Sequence, residues 1–229
     1  MHRRFRLLPL IAVFVTSGVL GDADYASLLQ EALAALEYNE MEWAFTEASI
    51  EAGTETVARF DPRRPAGERW SLLSVDGREP TQDEIDDFTE DKLDDDESGS
   101  DDDDEVHTMV EGDSLTLVEE TDEYWLFSFV PSEEDDEEDF AEFMDGTLEI
   151  AKDGRYVSSI DIRSDEPFRP RFGVKVNSIL TRLTFGPASP DGPIVPQTID
   201  VDIDIRALLL LRIDETVSIS FSDYEFVGD

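Results

Sequence analysis

The sequence predicts a mostly β protein of the α+β class: a curved antiparallel sheet, or incomplete β-barrel, covered by an N-terminal helix and a short second helix. Two observations favour this fold class. Roughly nine or ten segments have strand character and only two are helical, and strands do not alternate with helices, which argues against a parallel α/β fold. The chain has 229 residues, 40% of them hydrophobic, which suffices for a core. We therefore expect one half-barrel domain over residues 22–229.

The first 21 residues have the pattern of a secretory signal peptide. Arg3, Arg4 and Arg6 precede an apolar stretch over residues 7–20, and Gly21 offers a cleavage point. The apolar stretch is 14 residues long, short of the roughly 20 residues that a membrane-spanning helix needs. We therefore expect an exported protein of the periplasm or cell envelope.

Two helices are predicted, one at the N-terminus of the expected domain and a short one near residue 80. In the first, over residues 22–40, apolar side chains recur at three- and four-residue steps: Tyr25, Leu28, Leu29, Ala32, Leu33 and Leu36. In the second, Thr81 can cap the helix while Glu84 reaches back to it, and Ile85 and Phe88 supply the buried side. These helices would cover the apolar side of the sheet.

The strand pattern is clearest near the C-terminus. Over residues 198–206 four apolar side chains alternate with Asp200, Asp202 and Asp204, and residues 216–222 repeat the alternation. A turn at residues 153–154 indicates a hairpin, and a change of parity between Val176 and Ile179 predicts a bulge at residues 177–178. Further strand candidates are residues 43–45, 54–60, 70–75, 115–117 and 124–130.

The chain is strongly acidic. Its 18 basic and 57 acidic residues give a net charge of −39, which argues against binding to nucleic acid or to an anionic membrane because either would repel such a surface. Only three of the basic residues are lysines. Excess acid with scarce lysine indicates a protein that stays soluble in concentrated salt, where the Debye length falls to about 3 Å at 1 M. We expect a salt-adapted source.

Two acidic runs interrupt the chain. Residues 94–105 contain nine acids in twelve positions, and residues 133–139 are seven consecutive acids. We expect disordered, solvated loops at about residues 94–112 and 132–139. Weak, diffuse cation association is the expected behaviour, because the spaced D-x-D-x-D-G pattern of a calcium loop is missing; a specific cation site is the alternative.

Catalytic and cofactor signatures are missing from the sequence. It has no cysteine and only two histidines, His2 and His107, which excludes disulfides, thiolate metal sites and cysteine nucleophiles. No nucleotide-binding or hydrolase motif occurs. We therefore predict a protein that is not an enzyme and has no cofactor or metal. The remaining enzymatic alternative is an envelope hydrolase with two carboxylates about 5–9 Å apart.

Residues 60–81 read FDPRRPAGERWSLLSVDGREPT. This segment resembles a block in uncharacterised exported bacterial proteins, of the form DPxxPxGxRWxLLxVDGxxPT. With its signal peptide, leading helix and curved sheet, the chain resembles the superfamily of periplasmic lipoprotein carriers of the LolA/LolB type. The resemblance implies an incomplete antiparallel barrel around an apolar cavity, and acyl chains or lipoproteins as ligands.

The leading hypothesis is therefore a monomeric, non-enzymatic protein that buries the acyl chains of a lipid or lipid-modified protein on the concave apolar face of the sheet, with the N-terminal helix as a movable cover. The alternative is a structural or interaction module of the cell envelope with a fully packed core. Six aromatic residues are candidates for lining the cavity: Trp43, Phe45, Trp70, Trp125, Phe127 and Phe129. Simple core packing is the other interpretation of these aromatics.

Three arginines are candidates for the rim of the cavity. Arg63, Arg64 and Arg69 lie within seven residues of one another, and their positive potential would differ from the surrounding acidic surface. They could face a polar headgroup or a partner. The alternative is a structured loop that fixes how two strands meet.

Overall fold

The computed structural model describes residues 22–36, 39–98, 110, 114–131, 143–190, 192–207 and 211–228. The predicted signal peptide over residues 1–21 and the acidic loop at 132–139 lie outside these ranges. Within them, no helix has both the length and the apolar character needed to cross a bilayer.

One open, curved antiparallel sheet of ten strands forms the body of the protein, as the sequence predicted. The strands are β1 Trp43–Glu51, β2 Thr54–Phe60, β3 Trp70–Val75, β4 Thr116–Glu120, β5 Tyr124–Phe129, β6 Asp145–Ala151, β7 Val157–Arg163, β8 Val174–Pro187, β9 Ile194–Ala207 and β10 Leu211–Phe226. Their order across the sheet is β3-β2-β1-β10-β9-β8-β7-β6-β5-β4. The last strand therefore returns to pair with the first, and β3 and β4 form the two edges.

The turns follow the predicted chemistry. The bulge in β8 lies between Val176 and Ser178, as predicted. The hairpin of β6 and β7 is also confirmed, with Gly154 at a φ of +83°. Both residues between Val75 and Arg78 have positive φ, +49° at Asp76 and +70° at Gly77, as a two-residue hairpin turn requires.

Helix α1 spans Asp22–Ala34. It is shorter than predicted, because the sequence pattern had placed its end at residue 40. A separate 3₁₀ turn over Glu40–Glu42, capped by the Asn39 side chain, leads into β1. The five apolar side chains of α1 at positions 25, 28, 29, 32 and 33 are all buried, so the predicted amphipathic pattern is confirmed. They join a core cluster formed with β5, β6 and β7.

Helix α2, Gln82–Ser98, has 17 residues and is not the short helix that the sequence predicted. Its predicted cap is confirmed: the backbone N–H and hydroxyl of Thr81 donate to Glu84 Oε2 at 2.8 and 2.9 Å. The helix takes in residues 94–98, which the sequence assigned to the first acidic loop. Val110, in the same predicted loop, is buried and forms a bridge with Pro131.

Strand register places apolar side chains in rows on one face of the sheet, which we call the apolar face. One row runs across six strands and consists of Phe127, Leu148, Ile160, Leu183, Ile199 and Ile219. Both helices pack on this face, α1 over β5–β7 and α2 beside β3. The opposite face is polar, and there Arg182 donates to both oxygens of Asp161 at 2.6 and 2.9 Å.

Candidate apolar binding face

At one end of the apolar face, α1 and the sheet form a closely packed core. The ring of Tyr25 meets the ring of Phe127 edge-on, with centroids 5.2 Å apart. The ring of Phe129 lies against Gly146, where the Cβ of any larger residue would be only 2.5 Å from the nearest ring carbons. Phe127 and Phe129 are both buried, so this end of the face is closed by its own side chains.

Aromatic side chains fill the other end. Phe45, Phe60 and Trp70 lie on adjacent strands, with ring centroids 5.1 to 5.7 Å apart. Phe88 of α2 contacts Trp70 edge-on at 6.4 Å. Because neighbouring rings fill the space between β1, β2, β3 and α2, this end is a second packed cluster.

A charged pair fastens α2 to this second cluster. Glu47 of β1 is only 9% exposed, and Lys92 of α2 donates to its two carboxylate oxygens at 3.2 and 3.3 Å. The Lys92 ammonium also lies 4.2 Å from the centroid of the Trp70 ring, within the range of a cation–π contact. The acid on the apolar face is thus neutralised by a cation from the helix above it.

Between the two packed ends lies a part of the apolar face that the described residues bury only in part. Its side chains come from β8, β9 and β10, and every one of them is partly exposed: Ile179, Leu183, Ile199, Val201, Ile203, Ile205, Val217 and Ile219. We call these eight residues the central strip. Six residue steps along β9 and two strand spacings across give it a size of about 20 by 10 Å.

A small pocket lies between α2 and the loop before β3. It is lined by Gly67, Arg69, Trp70, Thr89, Lys92 and Leu93, and it holds about 10 Å³, roughly one water molecule. The Nε atom of Arg69 is buried and has no hydrogen-bond partner among the residues that the structure describes. This pocket is too small for an acyl chain.

The structure does not bring the six predicted cavity aromatics together. Trp43, Phe45 and Trp70 lie on β1 and β3, whereas Trp125, Phe127 and Phe129 lie on β5. Strands β1 and β5 are six steps apart in the sheet, about 29 Å.

Burial separates the six aromatics further. Phe45, Phe127 and Phe129 are core residues, so the core-packing interpretation describes them. Each of the three tryptophans is partly exposed. Trp43 contacts the ring of Phe226, and Trp125 has the Lys152 ammonium 4.7 Å from its ring centroid.

The central strip was missed as a site because the alternation of apolar and polar residues predicts only that a strand has one apolar face. The pattern is the same whether or not a helix covers that face. Ile199, Val201, Ile203 and Ile205 gave the clearest strand signal in the chain. Whether a helix lies over that strand depends on the order of strands in the sheet. The sequence signal that could have pointed here is the lack of a third predicted amphipathic helix to cover so wide a sheet.

Two of the three predicted rim arginines are held by hydrogen bonds within their own loop or to the strand β3 that follows it. Arg63 donates to both oxygens of Asp61 at 2.8 and 2.9 Å, and Arg64 donates to Ser71 Oγ at 2.7 Å. The hydrogen bond from Arg63 lowers the pKa of Asp61. The structured-loop interpretation therefore describes Arg63 and Arg64, and Arg69 lines the small pocket.

Four of the described carboxylates have a lowered pKa, Asp61 being one of them. Arg78, with Thr81, lowers the pKa of Glu84 to about 2. Lys152 lowers the pKa of Glu120, and Asn177 with Arg212 lowers that of Asp204. A general acid in glycoside hydrolysis needs a raised pKa. Among the described residues, these shifts give no support to the hydrolase alternative.

No family model matches the chain, no curated protein matches it, and no solved structure does. The resemblance of residues 60–81 to exported bacterial proteins, and of the whole layout to LolA/LolB-type carriers, therefore stays a prediction.

Proposed function

We propose that this protein binds the acyl chains of a lipid, or of a lipid-modified protein, on the central strip of its apolar face. In this proposal it is an exported, non-enzymatic protein of the cell envelope. The observation that carries the proposal is the central strip itself: eight aliphatic side chains on one face, partly exposed, between two packed ends.

The two faces of β9 support this interpretation. Asp200, Asp202 and Asp204 are on the polar face, where Ser218 Oγ donates to Asp200 at 2.6 Å and Thr216 Oγ1 donates to Asp202 at 3.2 Å. A sheet with one wet face normally packs its other face on a core. The central strip has a footprint of about 200 Å², and because the described residues cover it only in part, an apolar ligand or partner could pack on it.

Acyl burial supplies the binding free energy in this mechanism. Each CH₂ removed from water contributes about 0.8 kcal/mol, and the strip is about as long as an extended long-chain acyl group. Because the five buried side chains of α1 hold it in place, α1 acts as a fixed wall of the site. The sequence had suggested a movable cover, and nothing in the mechanism requires that motion.

A chain-length series tests the proposal directly. We expect fatty acids of increasing length to bind the wild-type protein more tightly, by about fourfold for each added CH₂, until the strip is filled. Fluorescence displacement of a bound fatty-acid probe measures this, and mass spectrometry of gently purified protein looks for lipid that copurifies. No probe binding and no copurified lipid would overturn the proposal.

Two matched variants locate the site. Ile199→Glu places a charge in the middle of the central strip, between Leu183 and Ile219, and should weaken probe binding at least tenfold. Ile50→Glu makes the same change at a 50% exposed position on the polar face and should leave binding unchanged. Ile199→Ala gives a milder test if the charged variant does not fold. Equal loss in the Ile199 and Ile50 variants would contradict the assignment.

The second candidate is a structural or interaction module of the envelope. The close packing at both ends of the apolar face favours it, because Phe45, Phe60, Phe127 and Phe129 leave no space there for a ligand. It predicts that the wild-type protein binds no fatty acid of any length. The same displacement measurement therefore separates the two functions.

A further inference from the structure

Three apolar side chains are exposed together at one end of the central strands. Phe172 is fully exposed, Leu211 is 59% exposed and Ile213 is 40% exposed. Val174 pairs with Ala207, and Ala207 pairs with Leu211, so the start of β8 and the start of β10 lie at the same end of the sheet. We call Phe172, Leu211 and Ile213 the apolar tip.

The loop that carries Phe172 is anchored at its base. Phe168 and Val176 exchange two backbone hydrogen bonds, each of 3.0 Å, and both side chains are buried. Phe143 stacks on Phe168 with ring centroids 4.6 Å apart. The chain reverses between these anchors at Gly173, whose φ is +84°. The anchored loop thus holds Phe172 fully exposed at the same end of the sheet as Leu211 and Ile213, and a group of exposed apolar side chains is typical of a contact site.

The two segments that carry the apolar tip are basic in sequence, whereas the whole chain is strongly acidic. Residues 167–176 and 205–213 contain no acidic residue, although 57 of the 229 residues are acidic. The two segments contain five basic residues: Arg169, Arg171, Lys175, Arg206 and Arg212. Lys175 pairs with Arg206 and Arg206 with Arg212, so three of the cations form a row across three strands on the polar face. Within that row Arg212 also contacts Asp204 and Asp214.

We propose that Phe172 and Leu211 of the apolar tip insert into the surface of a phospholipid bilayer, with the basic row, which lies one residue step farther along the strands, at the level of the lipid phosphates. Exposed apolar side chains with cations directly behind them match the two layers of a membrane interface, acyl chains inside and phosphates outside. Arginine is suited to the phosphate layer because its guanidinium binds phosphate through paired hydrogen bonds. This inference does not rest on the proposed function, since a tip can dock whether or not the central strip holds a ligand.

The net charge of −39 sets the conditions under which docking is expected. Acids elsewhere on the chain repel an anionic bilayer over long range, which is why composition alone argued against such binding. In about 1 M salt the Debye length is near 3 Å, so the repulsion between distant acids and the bilayer is screened. The insertion of apolar side chains does not depend on charge and persists. We therefore expect docking to persist or strengthen as salt is raised, the opposite of a purely electrostatic contact.

Vesicle flotation tests the proposal, using phosphatidylethanolamine with a minority of phosphatidylglycerol in about 1 M NaCl. The wild-type protein should float with the vesicles, and Phe172→Ser combined with Leu211→Ser should reduce the bound fraction at least tenfold. The matched control is Val118→Ser with Val130→Ser, which removes two valines that are each 60% exposed, Val118 in β4 and Val130 directly after β5. All proteins are prepared with the same N-terminus, so residues 1–21 contribute equally. Absence of wild-type binding, or an equal loss in the control, overturns the proposal.

A second readout reports on the tip alone. In a Phe172→Trp variant, the new tryptophan should shift its emission to the blue on adding vesicles and should be quenched by brominated acyl chains. Sedimentation measures whether the tip instead joins two copies of the chain. An unshifted emission, or self-association that depends on Phe172 without vesicle binding, would show that the tip serves another partner and would overturn the proposal.

Discussion

Lys92 and Glu47 are separated by 45 positions in the sequence, yet the Lys92 ammonium donates to both carboxylate oxygens of Glu47, at 3.2 and 3.3 Å. The carboxylate lies on the apolar face next to Phe45 and Trp70, where water is largely excluded. The lysine comes from the helix that covers them. This pair therefore couples the position of α2 to the packing of the aromatic cluster.

Removing the lysine should leave a buried, unpaired charge. We expect Lys92→Met to lower the free energy of unfolding by about 3 kcal/mol, because breaking a buried pair costs far more than the pair contributes. The double variant Lys92→Met with Glu47→Met should recover most of that loss. Urea denaturation measures both.

Lys152 provides the matched control for this prediction. It also pairs with a glutamate, Glu120 at 2.7 Å, and also lies over a tryptophan, but Glu120 is more exposed than Glu47. Lys152→Met should therefore lower the free energy of unfolding by much less than Lys92→Met does. Equal losses for the two lysines would show that burial of Glu47 is not the cause.

Gly146 is expected to tolerate no side chain. A Cβ at this position would lie 2.5 to 2.6 Å from three carbons of the Phe129 ring, which is itself buried beneath α1. Gly146→Ala should therefore destabilise the protein by about 2 kcal/mol, a typical cost of overpacking. Gly186→Ala serves as the comparison, because its Cβ would meet Gln197 at an ordinary 3.4 Å and the change should be nearly neutral. Thermal unfolding of the two variants distinguishes these outcomes.

The cap of α2 should weaken in acid. The pKa of Glu84 is lowered from 4.5 to about 2, first by the hydrogen bond from Arg78 and then by those from Thr81. A lowered pKa means that the stabilisation is fully present above about pH 4.5 and is lost as the pH falls through about 2.

The difference in stability between the wild-type protein and Glu84→Gln should therefore shrink across that interval. Unfolding measured at several pH values in constant salt checks this, and NMR titration of the Glu84 carboxyl gives its pKa directly. A difference that stays constant from neutral pH to about pH 2 would contradict the assignment of the cap.

Much of the fold could be predicted because strands, turns and caps are local. The bounds of β2 and β3 follow from residues 54–60 and 70–75, the bulge after Val176 follows from a change of parity, and the cap follows from Thr81 and Glu84. The length of α2 was missed because an acidic run indicates a solvated segment and does not say whether it is helical. The candidate site was harder to predict. Six aromatic residues were grouped by type, and the sheet places them in two groups whose strands β1 and β5 are six strand spacings apart, about 29 Å measured along the sheet.

The sequence by itself determined which segments are strands or helices, which side of each strand is apolar, and the strongly acidic surface, because these depend on residue type and on spacing along the chain. Only the tertiary structure decided that β10 pairs with β1, that Glu47 meets Lys92, and that Phe172 and Leu211 share one end of the sheet. It also decided which apolar rows the helices cover and which stay partly exposed. These properties depend on the order of strands across the sheet, and that order brings together side chains far apart in the sequence.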